Sequence, residues 1–599
     1  LRILVFNAGS SSLKFGVFDM DGATIRHRLK ATVDRLGRST AELKLVVDGR
    51  ESREDVAATG VEAAIAAVPV ILQRFDFGAI DAIGHRIAHG GERFAAPAII
   101  DEPVIAAIEA LTPLAPLHNP GGLAGIRHAR ATWPGKPQIA VFDTSFHLKN
   151  PPRATTYAVP AAWREAGLRR FGFHGTSHKY VALRAAEALG ENLRDLRVIS
   201  LHLGNGASAC AIQLGESIDS SMGMTPLEGL VMGTRSGDVD PGIFGYLQRN
   251  LGFDAEAVEK ALYEESGLKG LTGTADMRDV EDMAATGDAA AQLAIEIYAY
   301  RARKYVGAYA AAMGGLDALV FTGGIGENSA AMRRRICEGL GFLGLMLDTE
   351  RNGHVDLTDH AVPQIQAYGS RVRVVVTETA EQLMIAREVS ALLKAPANGA
   401  LTVPVAISAR HVHLDQDAVD ALFGTGYSLS PAGQLRQQGH WVARERLALE
   451  GPRGRLDNVA ILGPLRARTQ IEISRTDGFA LGIAPPVRDS GRLDGTPVVR
   501  LIGPAGAIDS DGLIIAARHI HTNPQDAARL GLKDGDEVDV RVGQGDRALT
   551  LSGTLVRVSP NAFTEMHIDT DEANAAGIEG RADGELLAAE ATIKPSAPV

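Results

Sequence analysis

Only two cysteines, Cys210 and Cys337, occur in 599 residues, too few and too far apart for a disulfide framework. The expectation is two core thiols in a chain that works in a reducing cytoplasm. Aromatic residues are sparse at 5%. The longest apolar run, Ala63 to Leu72, is broken by Pro69 and reaches about half of the ~20 residues a membrane span needs. No span is expected. Excess positive charge is missing too, since Lys plus Arg 61 against Asp plus Glu 72 leaves a net charge of −11. Nonspecific nucleic-acid binding needs a basic face, so nucleic acid is excluded as a partner, whereas local basic clefts for small anions stay open. The opening LRILVFNAGSSSLKF lacks the pattern of a signal peptide and reads as a strand and glycine turn.

What is present is the composition of a globular α/β protein: 45% hydrophobic and 22% charged residues, with 66 glycines and 27 prolines. The length suggests roughly four folding units. Apolar runs at Ile3 to Phe6, Gln138 to Phe142, Val198 to Leu203 and Ala318 to Thr322 alternate with helical patterns, as buried strands of an α/β fold do. Glu381 to Lys394 reads as an amphipathic helix, and the small, aperiodic residues after it predict a linker over 395–402. Beyond it, Val459 to Gly463, Ile471 to Ser474, Val498 to Gly503, Gly512 to Ala517 and Glu537 to Val542 predict a mainly β part with few helices.

Each part contains an internal echo. ILVFNAGSSSLKFGVFDMDG from Ile3 and VISLHLGNGASACAIQLGES from Val198 share the order strand, polar glycine turn, strand; ARHVHLDQDA from Ala409 recurs as ARHIHTNPQDA from Ala517. Duplication explains both.

The turn Asn7-Ala-Gly-Ser10-Ser-Ser12-Leu-Lys14 offers N–H groups, hydroxyls and a charge for terminal phosphates, although alone it is little more than a Gly-Ser turn. Its company changes that. Gly204-Asn205-Gly206 and Gly324-Ile325-Gly326-Glu327-Asn328 are further glycine turns after apolar strands, where a nucleotide approaches most closely without a Cβ. No GxxxxGK[ST] occurs, so this is not a P-loop protein.

These turns accompany GHRIAHGG (84–91), LAPLHNP (114–120), FDTSFH (142–147), RRFGFHGTSHKY (169–180) and TPLEGLVMGTRSGDVDPG (225–242). In this order the motifs resemble acetate kinases, of the acetate and sugar kinase, heat-shock chaperone and actin superfamily, over 1–394. The resemblance implies a duplicated ribonuclease H-like α/β fold, one subdomain from about 1–148 plus the helix near 380–394 and the other from about 149–379. By resemblance, Asn7, Ser10, Ser12 and Lys14 line the phosphate side, and Arg86 and Arg235 bracket the acyl carboxylate and transferred phosphoryl. Asp143 and Glu381 position the attacking carboxylate or Mg²⁺, with Asn7 and Glu381 the expected Mg²⁺ ligands. His118, His174 and His202 match the family's active-site histidines, with His174 the donor to the phosphoryl group. Asn205, Asp276, Arg278, Gly324 and Ile325 fall where the family cradles ATP. Ala88, Leu117, Phe173 and Pro226 form the acyl pocket beside His118. Two departures stand out: Thr379-Ala-Glu381-Gln382 replaces the usual TNEE or TDEE, and Ala88 replaces the usual Val. The smaller residue leaves room for about one more carbon, so propionate joins acetate as an expected substrate.

On a strand, residues i and i+2 share a face, so His411 with His413 and His519 with His521 can each approach one metal. One HxH is commonly incidental; two in a repeat, with Glu472 and His567, make six N/O ligand candidates suited to Zn²⁺. VPVAISARHVHL, QIEISRTDGFALGIAPPVRDSG and IIAARHIH resemble the microcompartment-type phosphate acyltransferases of propanediol utilisation, within a domain set at 403–599. That resemblance implies two small β-barrels and two Zn²⁺ ions, one at His411, His413 and Glu472, the other at His519, His521 and His567, with coenzyme A as substrate. Arg466 is the candidate for the departing phosphate, with Arg468 competing. No encapsulation-type extension precedes this part, so a free cytoplasmic enzyme is expected.

Together the halves predict conversion of a short-chain carboxylate, ATP and CoA to acyl-CoA, ADP and phosphate through acyl phosphate, by a homodimer joined through the kinase part. A nucleotide-binding regulatory protein with a zinc-stabilised module, or a kinase for a longer acid such as butyrate, are the alternatives.

Overall fold

In the computed structural model the described residues are all but 9–11, 22–23, 37–40, 48, 59, 76, 117, 395–400, 436, 438, 544–546, 561, 581 and 588–599. The chain divides into two compact units, Leu1–Lys394 and Ala395–Val599.

The first unit is built on two sheets of one design. In the first, the order is Thr24–Asp34, Leu13–Asp21, Arg2–Ala8, Ala82–Ile87, Gln138–Phe142. The first three strands run antiparallel and the last two parallel to Arg2–Ala8. In the second, Glu216–Ser220, Ala207–Gln213, Val198–Leu203, Ala318–Thr322 and Arg373–Val376 repeat that order and those directions. Duplication of the glycine-turn hairpin thus extends to the whole sheet. Ala41–Val47 and Arg50–Val56 widen the first sheet at one edge, and Ala98–Ile99 closes the other.

Arg2–Ala8, Gln138–Phe142 and Ala318–Thr322 are buried along nearly their whole length, which is why each reads as a continuous apolar run. Helix Glu381–Lys394 turns Ile385, Ala386 and Val389 onto Ile3, Val5 and Val141 of the first sheet. Gly84 permits that approach, because a Cβ there would lie 2.8 Å from Ile385 Cγ2 and 2.9 Å from Val389 Cγ2. Helix Gly175–Leu189 packs on the second sheet and also touches Glu381–Lys394. Both cysteines are free and buried. Among the described residues no helix is long and apolar enough to cross a membrane.

The second unit contains a closed barrel of Leu401–Ser408, Glu565–Asp569, His519–Thr522, Leu549–Val558, Glu537–Val542 and Ala582–Leu586. Beside it lies a nine-stranded sheet, in which His411–His413 sits between Gln470–Glu472 and Arg455–Gly463. The expected pair of barrels is therefore one closed barrel and one sheet with an open path among the described residues. The expected linker also shortens: residues 395–400 lie outside the described residues, and Leu401 and Thr402 already pair with Leu586 and Glu585.

The ARHxH duplication is structural. His411–His413 runs parallel to Arg455–Gly463 and antiparallel to Gln470–Glu472; His519–Thr522 runs parallel to Leu549–Val558 and antiparallel to Glu565–Asp569. The strand leading into each HxH is lent to the other copy: Leu401–Ser408 pairs with Glu565–Asp569, and Leu513–Ala516 with Gln470–Glu472. This exchange interlocks the copies and brings both HxH pairs into one neighbourhood.

Candidate active sites

In the kinase unit the ends of adjacent strands converge. Asn7 ends the first strand opposite Lys14, Arg86 lies on the neighbouring strand, Asp143 follows Gln138–Phe142, and Glu381 opens the last helix. The Asn7 amide bridges two of them, donating to Glu381 Oε2 at 3.0 Å and accepting from Arg86 Nη1 at 3.2 Å. Arg86 also pairs with Asp143, and its Nε lies 3.9 Å from Glu381 Oε2. Thr176 Oγ1 donates to Asp143 Oδ1 at 3.1 Å. Burial alone would pull the Arg86 guanidinium down, but Asp143 and Glu381 hold it well above its ordinary range. Burial acts to raise Glu381, and Arg86, His202 and Lys14 overcome it and keep the carboxyl low. Glu381 is thus a charged carboxylate whose Oε1 has no hydrogen-bond partner among the described residues, and Asn7 Oδ1 retains its second lone pair. This donor set suits a hard, oxygen-seeking cation such as Mg²⁺.

Arg235 is the opposite case. It donates to the Pro226 carbonyl at 3.2 Å and sits over Tyr263, but no carboxylate among the described residues pairs with it, and burial lowers its pKa. Arg86 and Arg235 line one cavity of about 470 Å³ together with Ala88, His118, Asp143, Phe173, His174 and Pro226. Of the expected acyl wall, Leu117 lies outside the described residues. Leu114, Met224 and Tyr263 also line the cavity, with the charged Glu256, Glu259, Lys260 and Glu264; Met224 and Tyr263 lie outside the motifs the sequence offered, whereas Leu114 opens LAPLHNP.

His174 has φ 56°, a left-handed conformation at the cap of Gly175–Leu189. The next residue must be Gly, because a Cβ at Gly175 would lie 2.2 Å from the Asp143 carbonyl oxygen. The His174 and His202 rings are 4.4 Å apart. Burial, reinforced by Arg86 and Arg235, pushes His118 down to about 4, and burial lowers His174 and His202 too, so all three are neutral near pH 7.

A second cavity, about 640 Å³, carries Asn7, Lys14, His202, Gly323, Gly324, Glu327, Thr379, Glu381 and Gln382. Ser12 is partly buried at the foot of Leu13–Asp21, and Ser10 lies outside the described residues. Gly204, Asn205 and Gly206 form the turn between paired strands, with His202 opposite Ser208. Glu327, which lines this cavity, accepts from the Gly323 and Thr379 N–H groups, both at 2.9 Å, and the exposed Asn328 donates to the Gly324 carbonyl at 2.9 Å. These contacts shape the glycine turn, in which Gly324 is exposed and Gly326 buried. Asp276 caps Met277–Ala285 and holds the exposed Arg278; neither lines this cavity. Gln382, at the departure from the family pattern, has a buried amide nitrogen without a partner among the described residues.

In the second unit all six ligand candidates line one cavity of about 900 Å³ with Arg466, Ser490 and Arg557. Ligand atoms of His411, His413 and Glu472 lie within 4.8 Å of one another, with His411 Nε2 3.4 Å from Glu472 Oε2. His519 Nε2 and His521 Nε2 are 3.0 Å apart, and the His567 ring lies 5.2 and 5.3 Å from theirs. Duplicated contacts fix the tautomers. The Nδ1 of His411 donates to the Ala409 carbonyl at 2.9 Å and that of His519 to the Ala517 carbonyl at 2.8 Å, so each Nε2 lone pair faces the cluster. The His413 ring is buried beside the Leu462 backbone. Burial depresses His413, His519, His521 and His567, keeping them neutral. Neutral imidazoles and one carboxylate fit Zn²⁺.

Arg466 donates to Ser490 Oγ at 3.1 Å inside the cavity, whereas Arg468 is exposed and paired with Asp494 and Asp511. Of the two competing arginines, Arg466 is the one that lines the cavity. Gln470 and Ser490, which hydrogen-bond Glu472, were not anticipated; Gln470 shares the Glu472 strand face two residues away, a signal the sequence did carry.

The duplicated sheets, the paired guanidiniums and the glycine turns define an ATP-dependent phosphotransferase of the acetate kinase type. The chain belongs to the acetokinase family, whose model matches residues 2–387, and the phosphate propanoyltransferase model matches residues 404–579. Acetate kinase of Carboxydothermus hydrogenoformans is 46% identical over 396 residues, covering 65% of this chain and 98% of the relative; that of Deinococcus radiodurans is 47% identical over 393, covering 65% and 98%. Among solved structures, Porphyromonas gingivalis acetate kinase is 40% identical with a TM-score of 0.61, covering 66% of this chain and all of that one. A propionate kinase from Francisella tularensis is also 40% identical, with a TM-score of 0.60, covering 65% and 98%. The chain therefore carries kinase and acyltransferase activities in one polypeptide.

Proposed function

We propose that the chain runs two consecutive reversible reactions. In the kinase unit a carboxylate oxygen of acetate or propionate attacks the γ-phosphorus of ATP, the bond to the β,γ-bridging oxygen breaks, and ADP leaves. In the acyltransferase unit the sulfur of CoA attacks the acyl phosphate carbonyl, the bond to the phosphate oxygen breaks, inorganic phosphate departs, and the thiol proton is released.

The observation that carries the kinase reading is the pair of guanidiniums, one ion-paired and one without a carboxylate partner among the described residues, that line one cavity with Ala88, Phe173 and Pro226. Arg86 is held by Asp143 and Asn7 so that its orientation is set before substrate arrives. Arg235 is the unsatisfied cation that an incoming carboxylate or transferring phosphoryl neutralises. The acid is ionised at neutral pH and needs no base. His118 and His174, both neutral, can donate N–H groups without adding charge. Lys14, Ser12 and the glycine turns receive the nucleotide phosphates. Asn7 and Glu381 would hold Mg²⁺, which when bound neutralises phosphate charge. In the second unit the two His-rich trios would hold Zn²⁺, which when bound lowers a thiol pKa and polarises a carbonyl. Arg466, oriented by Ser490, binds the phosphate leaving group. Release of ADP rather than AMP tests the direct route; AMP would indicate an acyl-adenylate.

Ala88 lies on the cavity wall with Phe173 and Pro226. Ala88→Val is expected to lower propionate kcat/KM relative to acetate by about tenfold, within the ~1–3 kcal/mol one methylene is worth. Unchanged discrimination in steady-state assays would remove Ala88 as the size gate.

A homodimer through the kinase unit is supported by Gly242–Leu251, which has no buried residue and exposes Phe244, Tyr246 and Leu251, with Phe253 just beyond. Sedimentation should give twice the chain mass, and a monomer would contradict this. A cytoplasmic site of action fits the free, buried thiols.

A further inference from the structure

We infer that His178, acting through Ser208, is a positioning residue that fixes His174 in the tautomer whose Nε2 carries hydrogen. His178 Nδ1 lies 2.7 Å from Ser200 Oγ, its Nε2 lies 2.8 Å from Ser208 Oγ, and Ser208 Oγ lies 2.8 Å from His174 Nδ1. Ser200, Ser208 and His178 are fully buried. The chain Ser200, His178, Ser208, His174 therefore has no solvent to complete it.

Hydrogen counting gives it a direction. Both imidazoles are neutral, because burial lowers each well below its ordinary value. Ser208 has one hydroxyl hydrogen for two ring nitrogens, so it donates to one and accepts from the other. If it donated to His178, then His178 would donate from Nδ1 to Ser200, and the Ser200 hydroxyl hydrogen would be buried with no acceptor among the described residues. In the opposite direction every donor is matched: Ser200 to His178 Nδ1, His178 Nε2 to Ser208, Ser208 to His174 Nδ1. Leaving a buried donor unmade is the costlier choice, so the second direction holds. His174 is left with an Nε2–H. A Cβ on Gly206 would lie 3.5 Å from that nitrogen and 3.6 Å from Arg235 Nη1, so the N–H and the guanidinium meet at the same turn. The reversed relay would present a lone pair to the phosphoryl oxygens.

The sequence motif FHGTSHKY contains both histidines: His174 is the left-handed residue that caps Gly175–Leu189, and the His178 N–H in the first turn of that helix donates to the His174 carbonyl at 2.9 Å. Ser200 and Ser208 come from paired strands of the second sheet. The role rests on His174 as the phosphoryl donor, and the test separates the two ideas.

In full-length protein labelled with [15N]histidine, the His174 signals are assigned by their loss in His174→Gln. The relay requires a pyridine-type Nδ1 and a pyrrole-type Nε2; a pyrrole-type Nδ1 would overturn it. Ser208→Ala and His178→Leu should lower kinase kcat by about 10- to 100-fold with KM for the acid and for MgATP within about twofold. Ser208→Thr retains the hydroxyl and His178→Gln retains a donor to Ser208, and both should stay within about threefold of the parent. Equal damage from His178→Gln and His178→Leu would mean a packing role and overturn the proposal. If Ser208→Ala changes the tautomer but not kcat, the relay stands and His174 is not the donor.

Discussion

Replacing Arg235 with alanine is expected to lower kinase kcat by about 10³- to 10⁵-fold, the range over which a guanidinium that meets a transferring phosphoryl group acts. The protein should nevertheless fold normally. Arg235 has no carboxylate partner among the described residues, so its removal leaves no buried anion behind; it meets the Pro226 carbonyl, the Met232 sulfur and the Tyr263 ring. Arg86→Ala makes the informative contrast. It too should abolish phosphoryl transfer, but it strips Asp143 and Glu381 of their shared cation in a buried site, which costs about 3–5 kcal/mol when one partner of such a pair is lost. Steady-state assays with thermal melts on both variants distinguish the roles. Near-parental kcat in Arg235→Ala would remove the central cation from the mechanism.

The second large effect is selective loss of the acyltransferase. Dialysis against a strong chelator, or His411→Ala with His519→Ala, should reduce acyl transfer from acyl phosphate to CoA by at least about 10³-fold, equivalent to about 4 kcal/mol of transition-state stabilisation. The kinase, assayed with Mg²⁺ restored, should keep its rate, since none of its cavity residues belongs to the His-rich trios. Adding Zn²⁺ back to the dialysed parent should restore transfer, and elemental analysis should find about two ions per chain. Full transfer activity in metal-free protein would contradict a metal role for the six residues.

Strands buried on both faces were legible because their sequence is continuously apolar: Gln138–Phe142, Val198–Leu203 and Ala318–Thr322 have the bounds expected, as does helix Glu381–Lys394. Metal candidates were legible because period-two spacing on a strand is itself a geometric statement. What stayed hidden depends on pairing between distant segments. Nothing local shows that Leu401–Ser408 joins the barrel of the later HxH copy, or that the earlier copy's sheet stays open. The bracing of the glycine turn by Glu327 and Asn328 was hidden for a related reason: a family motif marks a loop, but not which backbone groups its side chains bind. His178 stayed unassigned because its partners Ser200 and Ser208 lie on strands of the second sheet, a pairing that local pattern does not show.

In the proposed sequence of reactions one chain takes a carboxylic acid to a CoA thioester through a free acyl phosphate. The most direct measurement mixes the full-length, zinc-loaded protein with Mg-ATP and acetate or propionate, with and without CoA, and follows ADP, acyl phosphate and thioester together. Without CoA, ADP and acyl phosphate should appear in equal amounts; with CoA, thioester should form at one ADP per thioester while acyl phosphate falls. AMP as the nucleotide product, or thioester formation by a His411→Ala, His519→Ala chain at the parental rate, would contradict it.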